Sequence, residues 1–435
     1  MAYEQFAERL VATGVIPDPW VEGHPRFRET PLVFTPREVS DMYRAAESVA
    51  AAYNEVCLLC MKQPELLDDF LNLTPYQKLM WASTCPHWHG VARADVFRTA
   101  EGLKICEINS DTPTGEAEAI AVGRVAIDDQ PRMIDPMEGF EERFCAMIEA
   151  TALAALEPGF PRTIGVIYPT EMPEDLPLVK LYRQWFESRG WKVALGSPFN
   201  LTQGEEGRPA LMGTSCSVLL RHYKTDWWGE RWPVWDDEEP YPDDEPLTAQ
   251  LALLINAMVE RRCVVLNPLG AVVPQNKRAM ALMWERIDDL SPEVQQIVRE
   301  YVPYTVRLEA THAAQLSAER ELWVLKSDYG CEGAEVVVGK YTTQEIWDES
   351  LKLASRGRWV AQQYFQPIES ESGESVNHGV YLIAGEASGL YVRAQKGPTD
   401  GYAESTAGLI DPAPAQAKEP TATSEATVVE ESRSL

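Results

Sequence analysis

The chain has 435 residues, 45% of them hydrophobic, and carries 67 acidic against 39 basic side chains for a formal net charge of -28. This length and apolar content can bury large cores in two or three subdomains, while the acidity argues against nucleic acid, anionic membrane or another polyanion as default partner and would attract a cation such as a polyamine. No run approaches the roughly 20 apolar residues needed to span a bilayer, and Met1 to Leu10 lacks a basic segment and an apolar core, so a cytoplasmic protein is expected.

Residues up to about 80 read as helices, with apolar residues at helical spacing from Pro36 to Asn54. Cys57 and Cys60 form a CxxC with no second pair. Cys85, His87 and His89 lack a nearby fourth ligand, and the eight cysteines are scattered through apolar contexts. All are read as structural, reduced thiols and imidazoles.

Two strands follow, Arg93 to Thr99 and Leu103 to Asn109, joined by Ala100-Glu101-Gly102. A three-residue hairpin loop with glycine in the left-handed position would pair Thr99 with Leu103, Asp95 with Glu107 and Arg93 with Asn109. Cross-strand neighbours lie about 5 Å apart, so two carboxylates and an amide oxygen would converge beside a guanidinium. Like charges that close call for a cation, and hard oxygen donors without histidine or thiolate suit magnesium, which takes its other ligands from water and phosphate. The arginine at the rim would bind a phosphoryl group. The alternative is a surface hairpin whose charges pair with one another in water. Ser110 to Gly115 turns the chain into a helix over Glu116 to Arg124, with Thr112 or Asp111 as N-cap and Pro113 in the first turn. Free N–H groups there would hold an anion.

Strand Thr163 to Tyr168, helix Leu178 to Arg189, strand Trp191 to Leu195 and strand Val218 to Tyr223 set a β-α-β rhythm for a small α/β subdomain. An acidic loop, Asp236 to Glu245, is read as solvated. Pro274 to Glu285 is a loop feeding a helix that carries Lys277. Glu321 to Gly339 is strand, glycine-bearing loop and strand: Lys326 precedes Gly330 and Gly333, so its ammonium could reach a phosphate while the loop closes over it. Neither a Walker loop nor a GxGxxG fingerprint is present. Trp359 to Phe365 is an apolar strand with a polar end. From Asp411 to Leu435 the chain is too poor in apolar residues to order itself. The expected division is 1–150, bearing the hairpin; 155–270, the small α/β unit; 271–410, the nucleotide-binding part; and 411–435, an acidic disordered tail.

Together, Arg93-x-Asp95, Glu107-x-Asn109-x-Asp-Thr-Pro-Thr114, Asn276-Lys277, Lys326 before its glycine loop, Gln362-Gln363-Tyr364-Phe365 and Val392-Arg393-Ala-Gln-Lys396 resemble the glutathionylspermidine synthase-like ATP-grasp ligases, over about residues 15 to 410. The resemblance implies a mixed α+β and α/β architecture, an ATP-grasp fold in which the metal ligands precede the nucleotide lysines, with a small pre-ATP-grasp-like α/β insertion. It implies that Asp95, Glu107 and Asn109 hold one or two Mg²⁺ ions, and that Arg93, Lys326 and Arg393 act on the transferring phosphate. Lys277, Lys326, Gly330, Gly333 and Lys396 would contact the nucleotide, and Gln363, Tyr364 and Phe365 its adenine. ATP is the implied co-substrate, with a small acid and an amine, glutathione and a polyamine among them, as reactants. Nucleic acid and membrane are not expected, and a homodimer is the candidate assembly. The family's best-known members carry an amidase domain ahead of the synthetase; no N-terminal Cys/His pair here suggests one, so reversal of the bond is not expected. The loop Ser327 to Gly333 departs from the family's proline and arginine after the lysine, and this motivates a rival reading as a nucleotide-binding sensor or scaffold without turnover.

Overall fold

The computed structural model describes residues 3–230, 246–308, 313–330, 335–355 and 357–412. Gly333, the whole of the acidic loop from Asp236 to Glu245 and nearly all of the expected tail lie outside them. Pro36–Lys62 forms a long helix, α1, whose start is written in sequence: Thr35 caps Glu38 N–H, Glu38 returns a bond to Thr35, and Pro36 fills the first turn. Cys57 and Cys60 fall on its buried side as free thiols.

The hairpin strands are β1 (Val91–Thr99) and β2 (Gly102–Asn109), followed by helices α2 (Glu116–Asp129) and α3 (Phe140–Ala155). Next come β3 (Thr163–Ile167), helix α4 (Leu176–Ser188), β4 (Lys192–Gly196), β5 (Val218–Arg221), helix α5 (Thr248–Val259) and β6 (Val264–Leu266). These four strands form one parallel sheet in the order β6-β5-β3-β4, buried by helices as parallel sheets are. After helix α6 (Arg278–Glu285), strands β7 (Thr305–Arg307), β8 (Trp323–Ser327), β9 (Val336–Val338) and β10 (Trp359–Gln363) make an antiparallel sheet, β7-β10-β8-β9, under helix α7 (Gln344–Ala354). Trp323, Trp347 and Trp359 fill that small core. Finally β11 (Glu374–Ile383), β12 (Glu386–Lys396) and β13 (Glu404–Thr406) return to the hairpin, giving the antiparallel sheet β13-β12-β11-β1-β2 with α1 packed across it. The hairpin therefore shares a sheet with residues some 280 positions away in sequence, through the pairs Asp95↔Gly379 and Arg93↔Tyr381.

The hairpin loop differs from expectation. Thr99 pairs with Gly102 rather than Leu103, leaving a two-residue loop, with Gly102 at φ +123° and Thr99 Oγ1 donating to Gly102 O at 2.8 Å. The expected pairs Asp95↔Glu107 and Arg93↔Asn109 nevertheless form, because Cys106 is an extra residue in β2 that shifts the register by one.

The start of α2 also differs. Gly115, left-handed at φ +97°, is its N-cap, and Asp111 is not a cap at all. The Asp111 side chain is ion-paired with Arg221 at the end of β5, both almost wholly buried (1% and 0% exposed), and accepts from Thr225 N at 2.6 Å and Thr225 Oγ1 at 3.0 Å. Asn267, just after β6, donates to Val91 O (2.8 Å), Ser110 O (3.2 Å) and Asp111 O (2.6 Å) and accepts from Val91 N (2.8 Å). Gly90 makes this possible: a Cβ there would stand 2.0 Å from Asn267 Oδ1. Removing one partner of a buried ion pair strands the other, at a cost of about 3–5 kcal/mol. Asp111→Ala is therefore expected to lose about that much stability in urea denaturation, and a loss below about 1 kcal/mol would show that the pair does not hold the parallel sheet to the hairpin.

Candidate active site

Asp95 sits in the middle of β1 with its carboxylate enclosed. Arg93 Nε donates to Oδ1 at 2.8 Å; Arg393 Nη2, from β12, and Asn377 Nδ2, from β11, donate to Oδ2 at 3.0 and 3.2 Å. Burial works to raise this carboxyl, but the Arg93 and Arg393 guanidiniums outweigh it and hold it well below the usual carboxylate range. Arg93 Nη1 also donates to Thr114 O at 2.7 Å. Gly379 opposite Asp95 makes room for it, since a Cβ there would meet Arg93 Cδ at 2.7 Å. Arg93 is thus bound on several sides, whereas Arg393 is the more exposed of the two guanidiniums (17% against 8%).

Across the hairpin, Glu107 and Asn109 are half-buried and lightly held. Asn109 Nδ2 lies 3.4 Å from Glu107 Oε1, and Lys277 Nζ lies 3.8 Å from Glu107 Oε2. With Tyr53, Gln275 and Met280 they line a cavity of about 10 Å³, room for about one water. Gln275 Oε1 accepts from Ser110 N (2.8 Å) and Asp111 N (3.1 Å), fixing the turn that leaves Asn109. Among the described residues no three His, Cys, Asp or Glu side chains are gathered for a metal. A hard cation would fit at Glu107 with amide and ligand oxygens, because those donors are not consumed by strong partners, whereas Asp95 is engaged with its two arginines. A larger cleft of about 360 Å³, between Ile120, Asp135 and Trp185, lies elsewhere.

Lys277, at the N-terminus of α6, and Lys326, at the end of β8, are buried, 7% and 6% exposed. Lys277 Nζ donates to Gly330 O at 2.5 Å and its N–H to Asp328 O at 2.9 Å, so it holds the loop after β8. Lys326 Nζ donates to the carbonyl of Cys106 at 3.2 Å, and among the described residues it has no ion pair. Gly330 N donates to Ser327 Oγ at 2.9 Å. The structure therefore brings Arg93, Asp95, Glu107, Asn109, Lys277, Lys326, Gly330 and Arg393 to one region. Gln363, Tyr364 and Phe365 lie at the end of β10; the first two spend their backbone N–H groups on Tyr304 O and Leu322 O, both at 2.7 Å, and Phe365 packs on Phe97. Lys396 is exposed, and strand alternation puts it on the face opposite Arg393. Asn377, Gln275 and Asn267 were not singled out from sequence, and Gln362 entered only within the Gln362-Gln363-Tyr364-Phe365 run, with no role of its own. Their partners are distant in the chain, and lone amides carry no local signal.

Behind Arg93, Glu116 opens α2 fully buried, and its carboxyl oxygens have no hydrogen-bond partner among the described residues. Burial pushes its pKa up to about 8, against the pull of the backbone, His222 and Arg93. The folded chain therefore keeps a proton that the unfolded chain releases near the ordinary value of 4.5, so this group's contribution to stability falls as pH rises from about 4.5 to about 8. Glu116→Gln is expected to raise stability at pH 8 by more than about 1 kcal/mol and to change it little at pH 5. Equal effects at both pH values in thermal denaturation would contradict a buried neutral acid.

A family model described as glutathionylspermidine synthase preATP-grasp matches residues 15–406. No curated protein matches the chain. Among solved structures, a glutathione synthetase-like effector from Globodera pallida is similar with a TM-score of 0.57 at 9% identity, over 94% of this chain and 97% of that one. That likeness is one of fold. A candidate gamma-glutamylcysteine synthetase from Methylobacillus flagellatus KT aligns at a TM-score of 0.44 and 13% identity, over 80% of this chain and 87% of that one.

Proposed function

The chain belongs to the glutathionylspermidine synthase pre-ATP-grasp family, and from that premise we propose that it is an ATP-dependent carboxylate-amine ligase built on an ATP-grasp fold of reversed motif order. The observation that carries this reading is electrostatic. In a protein of net charge -28, the described residues around the hairpin gather four cationic side chains, Arg93, Arg393, Lys277 and Lys326, about two carboxylates, Asp95 and Glu107. Buried ammonium groups whose hydrogen bonds go to carbonyls, with only the 3.8 Å approach of Lys277 to Glu107 as a carboxylate contact, suit a polyanionic ligand such as a nucleotide triphosphate.

In this reading Lys277 and Lys326 bind the nucleotide phosphates, with Gly330 in the loop after β8 and Gln363 to Phe365 beside the adenine. Arg393 meets the transferring phosphoryl group, and Arg93 sets Asp95 and Arg393 in place. Glu107 and Asn109 offer oxygens to magnesium, with Asp95 facing them across the hairpin. Magnesium, when bound, neutralises phosphate charge and orients the transfer. The substrate carboxylate attacks the γ-phosphorus and ADP leaves; an amine nitrogen then attacks the acyl phosphate carbonyl, phosphate leaves, and the nitrogen gives up its proton. Small-molecule acids and amines are the reactants, glutathione and a polyamine among the first to try.

Glu107→Gln keeps the shape of the side chain and removes its charge. ADP release from Mg·ATP is expected to require both an acid and an amine and to fall about 10²–10³-fold in this variant, as when one electrostatic group is lost from a transfer site. A folded variant of undiminished rate would sink the assignment. ATP binding by the wild type without ADP release against any pair would favour a nucleotide-binding scaffold.

A further inference from the structure

Cys106 is the bulged residue of β2, immediately before Glu107, and its carbonyl meets side chains from the antiparallel sheet of β7 to β10. Two donors meet it there. Lys326 Nζ approaches at 3.2 Å and Gln362 Nε2 at 3.3 Å. Gln362 is 2% exposed, and its amide also donates to Thr305 Oγ1 at 3.1 Å. It pairs with Val324 on β8, two residues from Lys326, so the two side chains share a face. A carbonyl has two lone pairs, and both are used; the ammonium has three protons and spends one here, leaving two for a ligand.

We propose that Gln362 is a positioning residue: by sharing the Cys106 carbonyl with Lys326 it fixes the nucleotide lysine relative to Glu107, so that the two halves of the site are held through one backbone atom. This rests on the ligase reading, in which Lys326 binds nucleotide phosphate. Without the Gln362 donor, the bulge carbonyl keeps a single partner belonging to a flexible side chain, and both Lys326 and the adjoining Glu107 gain freedom. Thr305 is the internal control, because its hydroxyl bonds the same amide and the Pro303 carbonyl at 2.8 Å but does not touch Cys106.

The test measures binding of magnesium and a non-hydrolysable ATP analogue to the full chain by calorimetry, with hydrogen exchange at the amides of 105–108 in the free protein. Gln362→Met, close in length and volume, is expected to weaken binding about fivefold to twentyfold, as loss of one buried hydrogen bond implies, and to speed exchange at the bulge. Thr305→Val is expected to change binding less than twofold while lowering the melting temperature. Equal binding by Gln362→Met and wild type overturns the inference, as does equal weakening by both variants, which is the mark of a general structural role. A wild-type chain that binds no analogue overturns the ligase reading, and the nucleotide coupling falls with it; exchange at the bulge then still reports whether Gln362 holds that carbonyl.

Discussion

A charge buried away from water has to be paired where it stands, and Asp111 shows how much can hang on one such pair. Its carboxylate meets Arg221 at the end of the parallel sheet and the Thr225 N–H, while its own carbonyl is held by Asn267, which follows the last strand of that sheet. The turn containing Asp111 leaves the hairpin directly after Asn109. Gln275, two residues before Lys277, accepts the two N–H groups of the same turn. One short segment is therefore tied to the parallel sheet, to the hairpin and to the approach of α6. The oxygen donors sit on rigid strands, and the turn that could let them drift is closed by buried polar bonds rather than by loop contacts with solvent.

The electrostatics of the site follow from this rigidity. Asp95 serves two arginines from different strands, so each guanidinium is held partly by a charge the other also uses. That sharing leaves net positive potential for a ligand, strongest at Arg393. Long-range attraction for anions is opposed by the protein's overall acidity, whose effect in solution is screened over roughly 8–10 Å at ordinary salt. Inside the partly desolvated site, local cations dominate, because interactions at a few ångström in low dielectric outweigh distant screened charge. The same field favours a cation at the outer surface and an anion within.

Much of this could be read from the chain, for reasons that differ residue by residue. Alternation in Arg93-x-Asp95 and Glu107-x-Asn109 is a local property of strands, and the pairing of these residues came out as expected. The helix start at Thr35 to Glu38 is likewise local. Asp111 was misread as a cap because an aspartate before Thr-Pro has the local chemistry of one; its partner Arg221 lies 110 residues away, and no periodicity announces it. Asn377 was silent for the same reason, and Gln362 stood in a recognised run without its contact to Cys106 being legible. The return of β11 and β12 beside β1 was also hidden, since antiparallel neighbours distant in sequence leave no trace in the hydrophobic pattern of either strand.

The hairpin register is the more instructive success, because its premise was wrong. With the two-residue loop alone, the pairing Thr99↔Gly102 would continue to Asp95↔Cys106 and turn Glu107 and Asn109 to the other face, since one residue of slip reverses every side chain. A three-residue loop would restore them without a bulge. The short loop with a bulge reaches the same pairing, and the carbonyl of the bulged residue accepts from Lys326 and Gln362. Register and lysine anchor are then one device. Side-chain pattern alone specifies the pairing and not the anchor, because alternation along a strand carries no sign of which distant side chains will reach a bulged residue's carbonyl.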